Sequence, residues 1–328
     1  MPPGSATKRL PTEQENSTEK KAAGKKHWQQ GFFWALLSPL FLGTIPIFAK
    51  IAYSTGADVL TVVAFRTLFA ALLIWVGMLL FGRHLIRSSM PAAISSSIAG
   101  AINGIGSLFF YASLLRIDAS LGQLINITYL VFVTILLRIA GHTISVLTLF
   151  RIGLTILAIY LLTMGGLGDP DWVGVAMMLV AALTYAVQLV FSQRIMLDIP
   201  APTMTLYAIT AMAGVVSLAW LLFPTGITEI TAVGWRAIFL MGLVTTLSRL
   251  TLFLGVKNLG SIQTALLGVL EVIVTIIIAI IFLGEHFTPV QWLGAALVII
   301  SVILVRFERN VPKFVDWWHL TWRWRLRQ

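Results

Sequence analysis

The chain has no cysteine, which excludes disulfides, thiolate-bound metals and a cysteine nucleophile. It is also poor in charge, with 11% Asp, Glu, Lys and Arg among 328 residues. A soluble domain carries about 25%, so this chain cannot cover a water-facing surface. Acid is the scarcer sign, at 13 residues against 23 basic ones. Neither a Gly-Lys-Ser/Thr phosphate loop nor a His-Glu-x-x-His pair occurs. ATP-driven pumping and metal-assisted hydrolysis thus have no support, no cofactor is expected, and the chain does not read as an enzyme.

What the chain has is apolar length. Fully 58% of it is hydrophobic and mean hydropathy is +0.91. A bilayer core of about 30 Å takes about 20 apolar residues per helix. Ten such segments can be read, at 31–54, 59–81, 91–115, 119–140, 145–164, 172–193, 203–223, 234–256, 261–283 and 288–305. Their runs are continuous, whereas barrel strands alternate apolar with polar residues, so an all-α membrane protein is expected. Short breaks carry turn chemistry, as in Thr55-Gly56-Ala57-Asp58, Gly165-Gly166-Leu167-Gly168-Asp169-Pro170-Asp171, Phe223-Pro224-Thr225-Gly226 and Gly284-Glu285-His286.

The net charge of +10 invites a nucleic-acid reading, but 12 of the 23 basic residues lie in residues 1–30 and 306–328. Basic tails of this kind face anionic lipid. Residues 1–30 are polar and read as a disordered cytoplasmic tail with no signal peptide. Residues 307–328 mix Trp317, Trp318, Trp322 and Trp324 with Arg323, Arg325 and Arg327, a composition suited to the headgroup layer. With the N-terminal tail inside, the inner loops carry Arg83, Arg87, Arg138, Arg151, Arg194 and Lys257, and the outer loops only Arg116 and Arg236. Localisation is therefore read as a multi-pass cell (inner) membrane with both termini cytoplasmic.

Ten spans divide into two five-helix repeats, 31–164 and 165–306. Arg116 with Lys257, Ser120 with Ser261, Thr134 with Thr275, and Gly153 with Gly294 all recur 141 residues apart. Five is odd, so the second half starts on the opposite side of the membrane, and two inverted repeats are expected. In secondary transporters of that kind the site lies at the midplane between halves.

Four stretches then carry a resemblance: Gly260-Ser261-Ile262-Gln263-Thr264-Ala265-Leu266-Leu267, Leu270-Glu271-Val272, Leu283-Gly284-Glu285-His286-Phe287-Thr288-Pro289, and Gln291-Trp292-Leu293-Gly294-Ala295-Ala296-Leu297. With Lys50 ending span one and Arg66 early in span two, residues 31–306 resemble the EamA-like branch of the drug/metabolite transporter superfamily. The resemblance implies ten helices and movement of a small metabolite. The chain departs from the family's pattern at Val272, where the family has Pro after the mid-helix Glu. In the first half Tyr129 replaces the corresponding Pro, and Gly141-His142 the Gly-Glu turn.

An ionisable side chain at membrane depth costs about 2.5–3.5 kcal/mol on insertion scales and usually faces the bundle interior. Glu271 is the deepest acid in this reading. It is either a proton-coupling or substrate-cation site, or a structural acid paired with Arg249. Arg249 can clamp a carboxylate with its planar fork or serve Glu271. Lys50 and Arg66 either snorkel to outer headgroups or line an anion-attracting vestibule, and Arg138 snorkels at the inner end. Asn103, Gln123, Asn126, Gln188 and Gln263 either bind substrate or join helices. The expected partners are a small-molecule substrate, the lipid bilayer and protons; a homodimer is compatible with this reading and nucleic acid is not a partner. The rival readings are a non-transporting scaffold or receptor, and an intramembrane aspartyl protease built on Gly166-Leu167-Gly168-Asp169. The second Tyr-Asp carboxylate that such a protease needs is missing from the sequence.

The loop charges generate a direct test. Epitope tags at either terminus are expected to be reached in whole cells only after permeabilisation; labelling of one from outside would reverse the orientation.

Overall fold

The computed structural model describes residues 33–34, 36–139, 146–166, 171–196, 199–223, 230–259 and 269–304. The two tails, the Gly141-His142 turn, the Pro224-Thr225-Gly226 turn, Asp169 and the Gly260–Leu267 stretch lie outside them. The described residues are helical, with no strand among them. Seven helices are long and apolar enough to cross a membrane, and Leu149–Met164, Leu270–Leu283 and Pro289–Ile303 are shorter apolar ones. We number the segments α1 (Leu36–Ser54), α2 (Val59–Phe81), α3 (Met90–Arg116), α4 (Ala119–Asn126 and Tyr129–Ile139), α5 (Val146–Met164), α6 (Trp172–Ile195), α7 (Ala201–Leu222), α8 (Ala232–Leu259), α9 (Val269–Ile278, closing in a π-helical turn at Ala279–Leu283) and α10 (Pro289–Ile303). A single turn at Arg83–Ile86 follows α2.

Helix starts follow from local chemistry. The Asp58 carboxylate accepts the Thr61 amide at 3.0 Å and opens α2, and Asp171 accepts the Gly174 amide at 2.8 Å and opens α6. Thr288 and Gln291 form a reciprocal capping box on α10. Pro91, Pro202 and Pro289 occupy first-turn positions, where a missing N–H costs nothing. Within spans, Thr67, Thr134, Thr246 and Thr251 return their hydroxyls to carbonyls four residues back. That accounts for much of the scattered polarity without invoking a ligand.

Two spans read as continuous in the sequence are broken. α1 is interrupted by a turn at Gly43-Thr44. α4 tightens at 127–128, where Thr128 N–H bonds the Ile125 carbonyl at 3.1 Å and Val131 N–H the Thr128 carbonyl at 2.8 Å. These three-residue steps replace the regular ladder and turn the chain with no proline present. A third departure concerns Arg151, expected in an inner loop. It lies inside α5, 1% exposed, donating to the Ser301 carbonyl of α10 at 2.9 Å.

The packing treats the two halves alike. α3 packs on α6 and α7, while α8 packs on α1 and α2; α4 packs on α6 and α9, while α9 also packs on α1; α2 meets α7, and α5 meets α10. Exchanging each helix with the one five places away returns these pairs, whereas the smaller α1–α4 and α4–α5 contacts have no counterpart of that size among the described residues. Glycines set the closest crossings. A Cβ at Gly100 would run into the Ala208 backbone of α7, and one at Gly242 would sit 2.9 Å from the Arg66 carbonyl of α2. In an apolar solvent such close van der Waals contact is what holds helices together.

Gly100→Val is therefore expected to lower unfolding free energy by at least about 1–3 kcal/mol through overpacking, read as a lower melting temperature in detergent. Gly77→Ala, where nothing lies within 4 Å of the added Cβ, should leave it unchanged or raised. Equal responses at both positions would show that the α3–α7 crossing is not sterically limited.

Candidate functional site

A cavity of about 70 Å³ lies where both halves meet. Leu42 and Ile45 of α1, Arg66 of α2, Asn103 to Tyr111 of α3, Asn126 beside the break in α4, Tyr185 of α6, Thr245 and Arg249 of α8 and Glu271 of α9 contribute to its wall. Of the residues singled out in the sequence, Glu271, Arg249, Arg66, Asn103 and Asn126 all line it. Gln188 stands one layer behind, 2% exposed, and accepts from Arg249 Nη1 at 3.4 Å.

The charged groups are held by neutral neighbours. Arg66 is 3% exposed; its Nη1 donates to Thr245 Oγ1 at 3.1 Å and its guanidinium carbon lies 4.4 Å from the centre of the Tyr111 ring. Arg249 Nη2 donates to Asn103 Oδ1 at 3.3 Å, with its guanidinium 5.2 Å from the Tyr185 ring centre. Both arginines thus face the electron-rich side of an aromatic ring. Asn103 in turn points its Nδ2 at Met212 Sδ, 3.1 Å away. Glu271, 6% exposed, accepts from Gln123 Nε2 at 2.7 Å. The structural pairing of Glu271 with Arg249 does not occur: the two line one cavity but form no ion pair. On the far side of Glu271, Thr275 Oγ1 bonds both the Glu271 carbonyl at 2.9 Å and the Gly43 carbonyl at the break in α1 at 2.8 Å. The two irregular helices and the acid therefore form one unit.

Lys50 is placed differently. It is half-buried outside the cavity wall, within electrostatic range of Asp118 and Glu285. Glu285 reaches across from the α9–α10 turn and accepts the first two amides of α4, Ala119 at 2.8 Å and Ser120 at 3.0 Å. A carboxylate there satisfies amides that helix geometry leaves open and opposes the helix dipole. At the same end Arg116 pairs with Asp171 at 2.8 Å, and Thr288 Oγ1 bonds the Gly165 carbonyl at 2.6 Å. Three connections are tied together there.

Sequence reasoning missed Tyr111, Tyr185 and Thr245 as wall residues, because an aromatic or a threonine in an apolar run carries no positional signal. It noted Gln123 without assigning it to Glu271, since nothing in one helix's text names its partner on another.

Among the described residues no cluster of His, Asp and Glu suitable for a metal occurs. The family model described as the EamA-like transporter family matches residues 29–164 and again 172–307. A curated relative, "Uncharacterized transporter YcbK" of Bacillus subtilis (strain 168), is 24% identical over 284 residues, covering 80% of this chain and 88% of that protein. A solved crystal structure superposes with a TM-score of 0.63 at 14% identity, covering 85% of this chain and 97% of the other, a likeness of fold alone.

The Asp171 carboxyl is held below the usual range, first by the Gly174 amide and then by Arg116. A carboxyl lowered on folding contributes stability above its unfolded value of about 4 and loses it as pH falls through the folded value. Asp171→Asn should therefore melt earlier than wild type near neutrality, with the gap closing below about pH 4. A gap independent of pH would mean that the carboxylate charge is not what matters.

Proposed function

Because this chain belongs to the EamA-like transporter family, a family of multi-pass membrane proteins, we propose that it is a secondary transporter that moves a small molecule through the cavity between its two halves. The observation that carries this reading is the composition of that cavity. Two arginines, one glutamate and two asparagines, drawn from both matched units, converge on one space in a bundle whose buried residues are mostly apolar. Buried charge in hydrocarbon is expensive, and a scaffold would gain more from an apolar, filled interior.

In this proposal α1 to α10 are all transmembrane, and each matched unit contributes five. Five crossings put the second unit in the opposite orientation, and the exchange symmetry of the packing supports an inverted pair. Rocking one half against the other would expose the cavity to each side in turn. The ties among Glu285, α4, Arg116 and Asp171 would close the outer end, and both termini would be cytoplasmic. At about 70 Å³ the cavity has room for a few water molecules, and a larger substrate requires it to widen.

Coupling to protons is the second part of the proposal. Among the described residues Glu271 is the one acid in the wall, and Gln123 rather than a cation is hydrogen-bonded to it. A proton gradient equivalent to 100 mV, supplied as a pH difference, is worth about 2.3 kcal/mol per proton, enough for a ratio of about forty-fold. Glu271→Gln keeps the shape and part of the hydrogen bonding but cannot titrate. In proteoliposomes with an imposed pH gradient it should lose gradient-driven accumulation while keeping wild-type thermal stability. Undiminished accumulation would sink the coupling role, and lost stability alongside lost flux would make Glu271 structural.

A further inference from the structure

We infer that the central cavity takes a small organic anion, whose carboxylate supplies the counter-ion that Arg66 and Arg249 lack and competes for them with ionised Glu271. This rests on the transporter reading and narrows it to a substrate class.

Other cations in the molecule have acids beside them. Arg116 pairs with Asp171, and Lys50 has Asp118 and Glu285 in range. Arg66 and Arg249 are deeper, yet among the described residues neither has a carboxylate at ion-pair distance. Their partners are a hydroxyl, two side-chain amides and two ring faces. The Nε of each is buried and makes no hydrogen bond to a described group. Such donors sit in a fork that matches carboxylate geometry. Among the described wall residues, two guanidiniums against Glu271 leave a net charge of +1, rising to +2 when the acid is protonated. In a low-dielectric site an uncompensated cation favours whatever anion can enter. Phe110, Tyr111 and Tyr185 give the same cavity apolar faces, which suits an organic anion better than a strongly hydrated inorganic one.

Glu271 then acquires a defined part. Arg249 of α8, Tyr129 of α4 and Tyr185 of α6 are the charged or titratable groups in electrostatic contact with it, and Arg66 of α2 and Tyr111 of α3 share its cavity. Ionised, it supplies the negative charge that the arginines attract; protonated, it leaves both to the substrate. Substrate anion and proton would thus enter together, one of each, and cross with no net charge.

The test uses equilibrium binding to the full chain in detergent, followed by thermal shift. The probes are acetate, propionate and benzoate, with phenyl phosphate, neutral benzamide and benzylammonium for comparison. Carboxylates should raise the melting temperature, with affinity improving as pH falls, while benzamide and benzylammonium should not act. Phenyl phosphate acting in place of the carboxylates would reassign the anion and overturn the carboxylate claim. Arg249→Lys keeps the charge and loses the fork, and should weaken carboxylate binding by about tenfold or more. Glu271→Gln should bind tightly with no dependence on pH. Stabilisation by benzylammonium alone, no response to any anion, or an Arg249→Lys protein that melts earlier but responds to carboxylates as before would each overturn the inference. Carboxylates that bind but are not moved by proteoliposomes would instead remove the transporter reading and leave the anion site standing. Accumulation of an amine down a pH gradient would do the reverse.

Discussion

Hydrocarbon offers a buried charge no water, so the ionised groups inside this bundle must find partners on other helices, while threonines can use carbonyls of their own helix. The architecture depends on that constraint. Arg66 of α2 finds Thr245 of α8, Arg249 of α8 finds Gln188 of α6 and Asn103 of α3, and Glu271 of α9 finds Gln123 of α4. All of these except the Arg249–Gln188 bond join one half of the chain to the other. The polar groups that could bind a ligand are therefore the same ones that hold the halves in register. Any motion that opens the cavity must exchange these bonds for others, and a charged substrate is one source of replacements.

Close approach and irregularity make the arrangement possible. Gly100 and Gly242 bring α3 against α7 and α2 against α8, near enough that side chains of modest length meet across the interior. The breaks in α1 and α4 then turn backbone and side chains inward at the depth of the cavity. Thr275 ties the α1 break to Glu271, and Asn126 sits at the edge of the α4 break. Broken helices in a membrane are tolerated where protein or a cavity, rather than lipid, faces the freed groups. The outer face answers the complementary demand, with Leu80, Phe81, Leu221 and Phe282 among its exposed apolar side chains.

Charges near helix ends behave in another way. Lys50, Asp118 and Glu285 cluster beside the start of α4, and Arg116 joins Asp171 at the start of α6. These groups sit close enough to water to be solvated when separated, so breaking them is cheaper than breaking the central bonds. In the transport cycle proposed above, a difference of that kind would let the ends separate before the central bonds exchange.

The sequence by itself determined the class of molecule. Scarce charge and long apolar runs allow no soluble fold; seven of the described helices are long and apolar enough to span a membrane, and three more are shorter apolar helices. The motifs around Glu271, Gly284-Glu285 and Gly294 pointed to the family. Five of seven candidate residues, Glu271, Arg249, Arg66, Asn103 and Asn126, could be named because a polar side chain in an apolar run needs a reason to be there. Only the tertiary structure decided which of them meet. It separated Glu271 from Arg249, gave it Gln123, moved Lys50 to the capped end of α4, buried Arg151 against α10 and added Tyr111 and Tyr185 to the wall. The physical reason is that periodicity records what one helix shows to its surroundings, whereas partners are set by crossings between helices more than a hundred residues apart in sequence.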